Sequence, residues 1–130
     1  MVARHAFVPT TYEHAWTVKR MAENEVLSAR IRAAQKPVIS DNMVLLVRNQ
    51  RPVLWEPGIF AELASVGMWD EEPFVRRIRR GEFAMFVTMG TRGTKVFDSR
   101  YNRRVADAID DCYPFKQVLA GYTLHLPAKQ

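Results

Sequence analysis

Apolar and polar positions along the chain alternate between helical and strand-like spacing and predict ten elements. From Tyr12 to Gln35 the sequence is rich in Ala, Glu, Arg, Met and Leu and free of Gly and Pro. Val18, Met21, Ala22, Leu27, Ile31 and Ala34 approximate one apolar stripe of a helix, cleanest over the last three. The weaker first half marks a candidate break near Glu23–Glu25. Pro37 stops the helix, and Val38-Ile39-Ser40 predicts a short strand.

Asp41 stands where an N-cap belongs, ahead of a short helix over 42–48 that is apolar almost all round and is therefore expected to be buried. Pro52-Val53-Leu54-Trp55 predicts a second strand. Glu56-Pro57-Gly58 turns the chain into a helix from Ile59 to Val66, with Gly67 just past its end. Asp70 caps the next helix, in which Phe74, Val75 and Ile78 face inward and four arginines occupy the remaining surface before Gly81. Phe83–Met89 reads as a strand covered on both faces, and 90–99 as a polar loop. Asn102–Cys112 is a helix with Val105, Ala106 and Ile109 on one side. Phe115–Ala120 and Tyr122–Leu126, separated at Gly121, predict a terminal antiparallel pair.

The order α-β-α-β-α-α-β-α-β-β points to an α/β fold: a single three-layer domain, its mainly parallel sheet carrying helices on its faces and ending in a C-terminal antiparallel strand pair. Residues 1–11 lack periodicity and read as a tail, leaving 12–130 as one domain.

Composition narrows the class. With 130 residues, 48% hydrophobic and 25% charged, the chain can hold a core without metals or disulfides, which excludes intrinsic disorder, a collagen-like repeat and a cysteine-stapled mini-protein. The longest apolar run, Met43–Val47, falls far short of the roughly 20 residues that cross a bilayer. No apolar stretch near Met1 resembles a signal peptide, so the expectation is a soluble polypeptide. The lone Cys112, preceded by Asp110 and Asp111, reads as structural.

Charge changes the picture more. The net +5 is concentrated between Arg76 and Arg104, where nine cations face two anions, while the rest of the chain is net negative. Arg76, Arg77, Arg79, Arg80, Arg100, Arg103 and Arg104 form a candidate basic patch suited to nucleic acid, anionic lipid headgroups or a phosphorylated ligand.

Motifs for chemistry are sparse. His5, His14 and His125 share no metal-ligand spacing with one another or with Cys112, so no metal and no cofactor is expected. His125 alternates with Leu124 and Leu126 and should face solvent. Gly90-Thr91-Arg92-Gly93-Thr94-Lys95 has glycines three positions apart and lacks the spacing of a P-loop. The run Arg80–Val87 departs from an RNA-recognition strand by the inserted Glu82. In parallel sheets ligands sit beyond the carboxyl ends of strands, which nominates Asp41, Glu56, Arg92 and Lys95 as candidate ligand-binding residues, Asp41 otherwise serving as a cap and Glu56 as a turn residue. No nucleophile–base pair can be assigned, so no catalytic residue is expected in this chain.

Several segments in order carry a resemblance. These are Val38-Ile39-Ser40-Asp41, Arg51–Pro57, Phe60–Ala64, Gly67–Asp70, Phe83–Val87 and Gly121–Pro127. Together they resemble the C-terminal soluble domain of bacterial membrane glycosyltransferases related to protein O-mannosyltransferases, over about Ala33 to Pro127. The resemblance implies a noncatalytic, extracytoplasmic accessory domain of an enzyme that uses polyprenyl-phosphate sugars. Its implied partners are the membrane part of that parent enzyme or anionic lipid headgroups. The location implied is the periplasmic or extracytoplasmic face of the membrane, whereas a free-standing chain would be cytoplasmic. The alternative is an independent basic nucleic-acid-binding module with Phe86, Phe97 and Tyr101 as stacking groups.

Overall fold

The computed structural model describes residues 11–128. In chain order its elements are α1 (Thr11–Ala33), β1 (Val38–Ser40), α2 (Met43–Arg48), α3 (Pro57–Ser65), α4 (Glu72–Arg79), β2 (Met85–Thr88), α5 (Lys95–Asp98), α6 (Arg103–Cys112), β3 (Phe115–Leu119) and β4 (Tyr122–Leu126). The tail expected over 1–11 lies outside the described residues except for Thr11, where α1 begins. That helix runs without the break expected near Glu23–Glu25.

The fold is mixed α/β around one four-stranded sheet of order β1-β2-β4-β3. Only β1 and β2 are parallel, with Ile39 opposite Phe86. β4 runs antiparallel to both of its neighbours, pairing His125 with Phe86 on one side and with Lys116 on the other. The mainly parallel sheet expected from the element order is therefore corrected to a mixed one. The terminal antiparallel pair is present. It turns through Ala120 and Gly121, both at positive φ (55° and 83°), with Leu119 opposite Tyr122, the two-residue turn that matches strand twist. Sequence order places β4 beside β3 but says nothing of its insertion next to β2.

Two further expectations fail for local reasons. Residues 52–55 form no strand: β1 is the edge of the sheet, Pro52 has no N–H, and Val53 and Leu54 are exposed. Helix α2 is not buried; only Leu46 enters the core, while Met43, Val44 and Val47 face out. The loop expected over 90–99 contains the single-turn α5, whose Phe97 is fully buried.

Alternation along the strands sorts the core into two clusters. Ile39 and Phe86 join Phe74, Val75 and Ile78 of α4, Phe97 of α5, and Val105 and Ile109 of α6. Val38, Met85, Val87 and Leu124 join Leu27 and Ile31 of α1 and Leu46 of α2. The inward positions expected on α4 and α6 are thus the ones that pack, whereas on α1 only Leu27, Ile31 and Ala34 do, Val18, Met21 and Ala22 of the expected stripe being exposed.

Gly81 follows α4 at φ 69°; its N–H donates to Ile78 O and that of Glu82 to Arg77 O. Gly67 ends α3 in the same way at φ 76°, with bonds to Ala64 O and Leu63 O. Both positions need the left-handed conformation that glycine takes without a Cβ penalty. Tyr113 then ties α6 to the start of β2, its hydroxyl donating to Phe83 O (2.7 Å) and accepting from Phe83 N–H (3.1 Å).

Phe86, fully buried at the sheet centre, meets Phe83, Tyr101 and Tyr113 edge-on at centroid distances of 5.6, 6.4 and 5.1 Å. Phe86→Ala is expected to cost about 3–5 kcal/mol of unfolding free energy. Val118→Ala, at a side chain 74% exposed, should stay within about 0.5 kcal/mol. Urea midpoints of the two variants check the contrast.

Candidate functional site

Beyond the carboxyl ends of β1 and β2 the chain gathers Asp41, Glu56, Arg100 and Tyr101. Asp41 N–H extends the parallel pairing to Val87 O at 3.0 Å, which drives its side chain into the protein, where it is 8% exposed. Asp41 Oδ1 accepts from the Tyr101 hydroxyl at 2.7 Å and Oδ2 from Met89 N–H at 2.9 Å. Burial pushes the Asp41 carboxyl above its ordinary value. The bonds from Tyr101 and Met89 and the charge of Arg100 pull it down, and Glu56 adds repulsion. Burial first and the Asp41 charge second push the Tyr101 hydroxyl well above its usual value.

The cap expected at Asp41 is corrected by one residue, and Glu56, expected as a turn residue, proves to be a cap. Asn42, not Asp41, caps α2, its Oδ1 accepting from Val44 N–H at 3.0 Å. Glu56 caps α3, its Oε2 accepting from Ile59 N–H at 2.6 Å with Pro57 at the first helical turn. A Cβ on Gly58 would stand 3.5 Å from Glu56 Oε2 and 3.9 Å from Arg100 Cγ, which places Glu56 and Arg100 together over that helix start.

Arg92 and Lys95 lie apart from this cluster. Arg92 spans two carboxylates of α6, Asp107 at 2.6 Å and Asp110 at 2.8 Å, while Lys95 is exposed on α5. Within their loop, Gly93 N–H donates to Asp98 Oδ1 at 3.1 Å and Thr94 Oγ1 caps α5, so side chains of the loop itself occupy those amides.

The basic patch is spread over α4 and α6, and much of its charge is matched. Glu72 pairs with Arg76 at 4.0 Å and also with Arg104. Arg79 meets Asp111 at 2.9 Å, and Glu82 takes Arg77 at 3.0 Å and Arg80 at 3.8 Å. Arg77 also lies over the rings of Trp55 and Phe83, 5.5 and 5.0 Å from their centroids. Arg100 Nη1 donates to Val96 O, whereas Arg103 is exposed on α6. Between α4 and α6 a groove of about 440 Å³ is lined by Arg76, Arg79, Arg80 and Arg104 with Glu72 and Asp107, four cations to two anions. The three aromatics nominated for nucleic-acid stacking, Phe86, Phe97 and Tyr101, are 0–2% exposed and form core.

His125 does not face solvent; it is 1% exposed, because β4 lies inside the sheet with apolar groups over both faces. Thr88 Oγ1 donates to Gly90 O at 2.6 Å, so its 2.8 Å contact with His125 Nε2 assigns the imidazole hydrogen to Nε2. Nδ1 is left buried without a partner among the described residues. No spacing in the sequence distinguishes this histidine, or Tyr101, from a surface residue. Among the described residues no group of three or more His, Cys, Asp or Glu is placed to hold a metal ion, and no helix is long and apolar enough to cross a membrane.

Burial above all, with a smaller contribution from Lys116, lowers the pKa of His125 from 6.5 to about 4. Between those values the unfolded chain takes up a proton that the folded chain refuses. Stability should fall by about 3 kcal/mol as pH drops through that window and level off below it. Asp41 works in the opposite sense, since its raised carboxyl favours the folded state in acid. Urea titrations of wild type and His125→Leu at pH 7 and pH 4 separate the two, and the variant should lack the His125 loss. Asp41→Ala strands the Tyr101 hydroxyl and Met89 N–H and should cost about 2–4 kcal/mol, against less than half that for Asp41→Asn, measured by the same titration. Compared with family models, curated proteins and solved structures, the chain matches none.

Proposed function

We propose that this chain is a noncatalytic accessory domain of a polyprenyl-phosphate-sugar-dependent membrane glycosyltransferase, and that it meets anionic groups at the membrane surface through the α4–α6 face. The assignment to such an enzyme rests on the sequence resemblance, and the observation that carries the anion contact is the groove in which Arg76, Arg79, Arg80 and Arg104 outnumber Glu72 and Asp107. Four guanidiniums present planar donor arrays that match phosphate oxygens two at a time. Glu72 already shows how the site treats an anion, since one carboxylate is shared by Arg76 and Arg104.

Support also comes from what the remaining polar groups do. Asp41 and Glu56 are engaged with Tyr101, Met89 and the start of α3, as structural carboxylates would be. The two core clusters support a three-layer reading in which α1 and α2 cover one face of the sheet and α4, α5 and α6 the other. On that reading the arginine groove belongs to a rigid outer layer and faces away from the sheet. The nucleic-acid reading keeps the basic charge but loses its stacking aromatics to the core.

Co-sedimentation with vesicles tests the proposal. Binding to phosphatidylcholine mixed with phosphatidylglycerol should exceed binding to phosphatidylcholine alone. The double variant Arg76→Ala/Arg104→Ala should lose roughly 30-fold in affinity, at about 1 kcal/mol per cation near an anionic surface. Equal, weak binding to both vesicle types would overturn it.

A further inference from the structure

A second groove lies around the C-terminal end of α4, and its chemistry differs from that of the first. It encloses about 520 Å³, and among the described residues the charged side chains that line it are Lys36, Arg79 and Arg80, with no carboxylate. Its remaining wall is mostly apolar, with Phe83, Ala84 and Pro127 beside the thiol of Cys112. The neighbouring α4–α6 groove, by contrast, has Glu72 and Asp107 within its lining, although Arg79 and Arg80 line both. Here the acids that meet the arginines, Asp111 for Arg79 and Glu82 for Arg80, do not line the groove.

The cations also keep donors to spare. Lys36 Nζ uses one hydrogen on Gly81 O at 2.9 Å, leaving two. Arg79 directs Nη1 at Asp111 and retains the rest of its fork. The Arg80 contact with Glu82 is loose, at 3.8 Å. Three cations on one side and apolar carbon on the other make a surface for an amphiphile with an anionic head. An inorganic anion leaves the apolar wall wet, and a neutral chain leaves the cations unused.

We infer that this groove binds a phosphate monoester carrying an apolar chain, the phosphate between Lys36, Arg79 and Arg80 and the chain along Phe83, Ala84 and Pro127. The inference rests on the reading of the domain as a binder of phosphates at a membrane, but on a different groove. Lys36 lines only this groove and Arg104 only the other.

Cys112 supplies the reporter, because it is the one cysteine in the chain and lines this groove. Its rate of reaction with an aromatic disulfide reagent is measured with dodecyl phosphate below its micellar concentration, with inorganic phosphate and with dodecyltrimethylammonium. Dodecyl phosphate should slow labelling at least tenfold, at concentrations at least tenfold below those needed of inorganic phosphate. Dodecyltrimethylammonium should not protect. Detergent-like unfolding would accelerate labelling and so cannot mimic protection. Lys36→Glu should weaken protection tenfold or more while Arg104→Ala leaves it unchanged; if Lys36→Glu melts early, Lys36→Ala replaces it. Absence of protection, or equal protection by the cationic amphiphile, overturns the inference. Equal potency of inorganic phosphate overturns the role of the apolar wall. Vesicle binding lost through Arg104 with Cys112 protection intact would separate the two grooves, whichever reading fails.

Discussion

The placement of β4 between β2 and β3 is the constraint from which the rest of the structure follows. A strand with neighbours on both edges and apolar groups over both faces buries its central side chains Thr123, Leu124 and His125, so their polar groups must look to the protein for partners, which His125 finds at Nε2 but not at Nδ1. That requirement explains the Thr88–His125 bond, where a single hydroxyl hydrogen committed to Gly90 O decides which imidazole nitrogen is protonated. It also explains why the turn before β4 is fixed at both ends. Leu119 pairs with Tyr122, and the Ala120 N–H reaches Glu23 Oε1 on α1 at 3.3 Å. Helix α1 is thus tied to the hairpin as well as to the sheet through Leu27 and Ile31.

Asp41 does for the β1 edge what His125 does for the centre. Its backbone extends the parallel pair, and its two carboxylate oxygens hold the chain leaving β2 and the tyrosine that follows α5. The cost of burying the charge appears as a carboxyl held above its ordinary value. Two hydrogen bonds and the nearby Arg100 offset part of that cost. A carboxylate spent in this way fixes where three segments meet and has little reach left toward solvent, which is why its position beyond a strand end gives poor grounds for ligand chemistry.

Much of the local structure was legible in the sequence, and most of the unread part has a common cause. The apolar spacing of Leu27 and Ile31, of Phe74, Val75 and Ile78, and of Val105, Ala106 and Ile109 identifies the packed faces, because helix geometry fixes which side chains share a side. Gly67 and Gly81 mark real helix ends for an equally local reason. Strand partners are another matter. β4 finds β2 across 33 intervening residues that say nothing of the pairing. From that insertion come the mixed sheet and the buried His125. The wrong assignment of 52–55 has a local root instead: the β1 edge stays unpaired, Pro52 has no N–H to offer it, and Val53 and Leu54 face out. In the candidate site, Asp41 and Glu56 were found by position. Arg100 and Tyr101 were nominated for a basic patch and for base stacking rather than for the Asp41 cluster they join, and Lys36, from a distant segment, carries no motif.

Charge shows the same difference between order along the chain and arrangement in space. Between Arg76 and Arg104 the count is nine cations to two anions, yet Glu72, Asp107, Asp110 and Asp111, all outside that interval, return to pair with Arg76, Arg104, Arg92 and Arg79. Exposed pairs of this kind add little to stability, but they decide where unmatched charge is left. What survives the pairing among the described residues is a small excess in the α4–α6 groove and, sharing Arg79 and Arg80 with it, a lining without carboxylates where α4 ends against Lys36. A basic face of uniform density would attract any polyanion. On the proposed reading, an excess confined to two neighbouring grooves, one of them half apolar, is what lets the domain discriminate by the shape and chain of the anion.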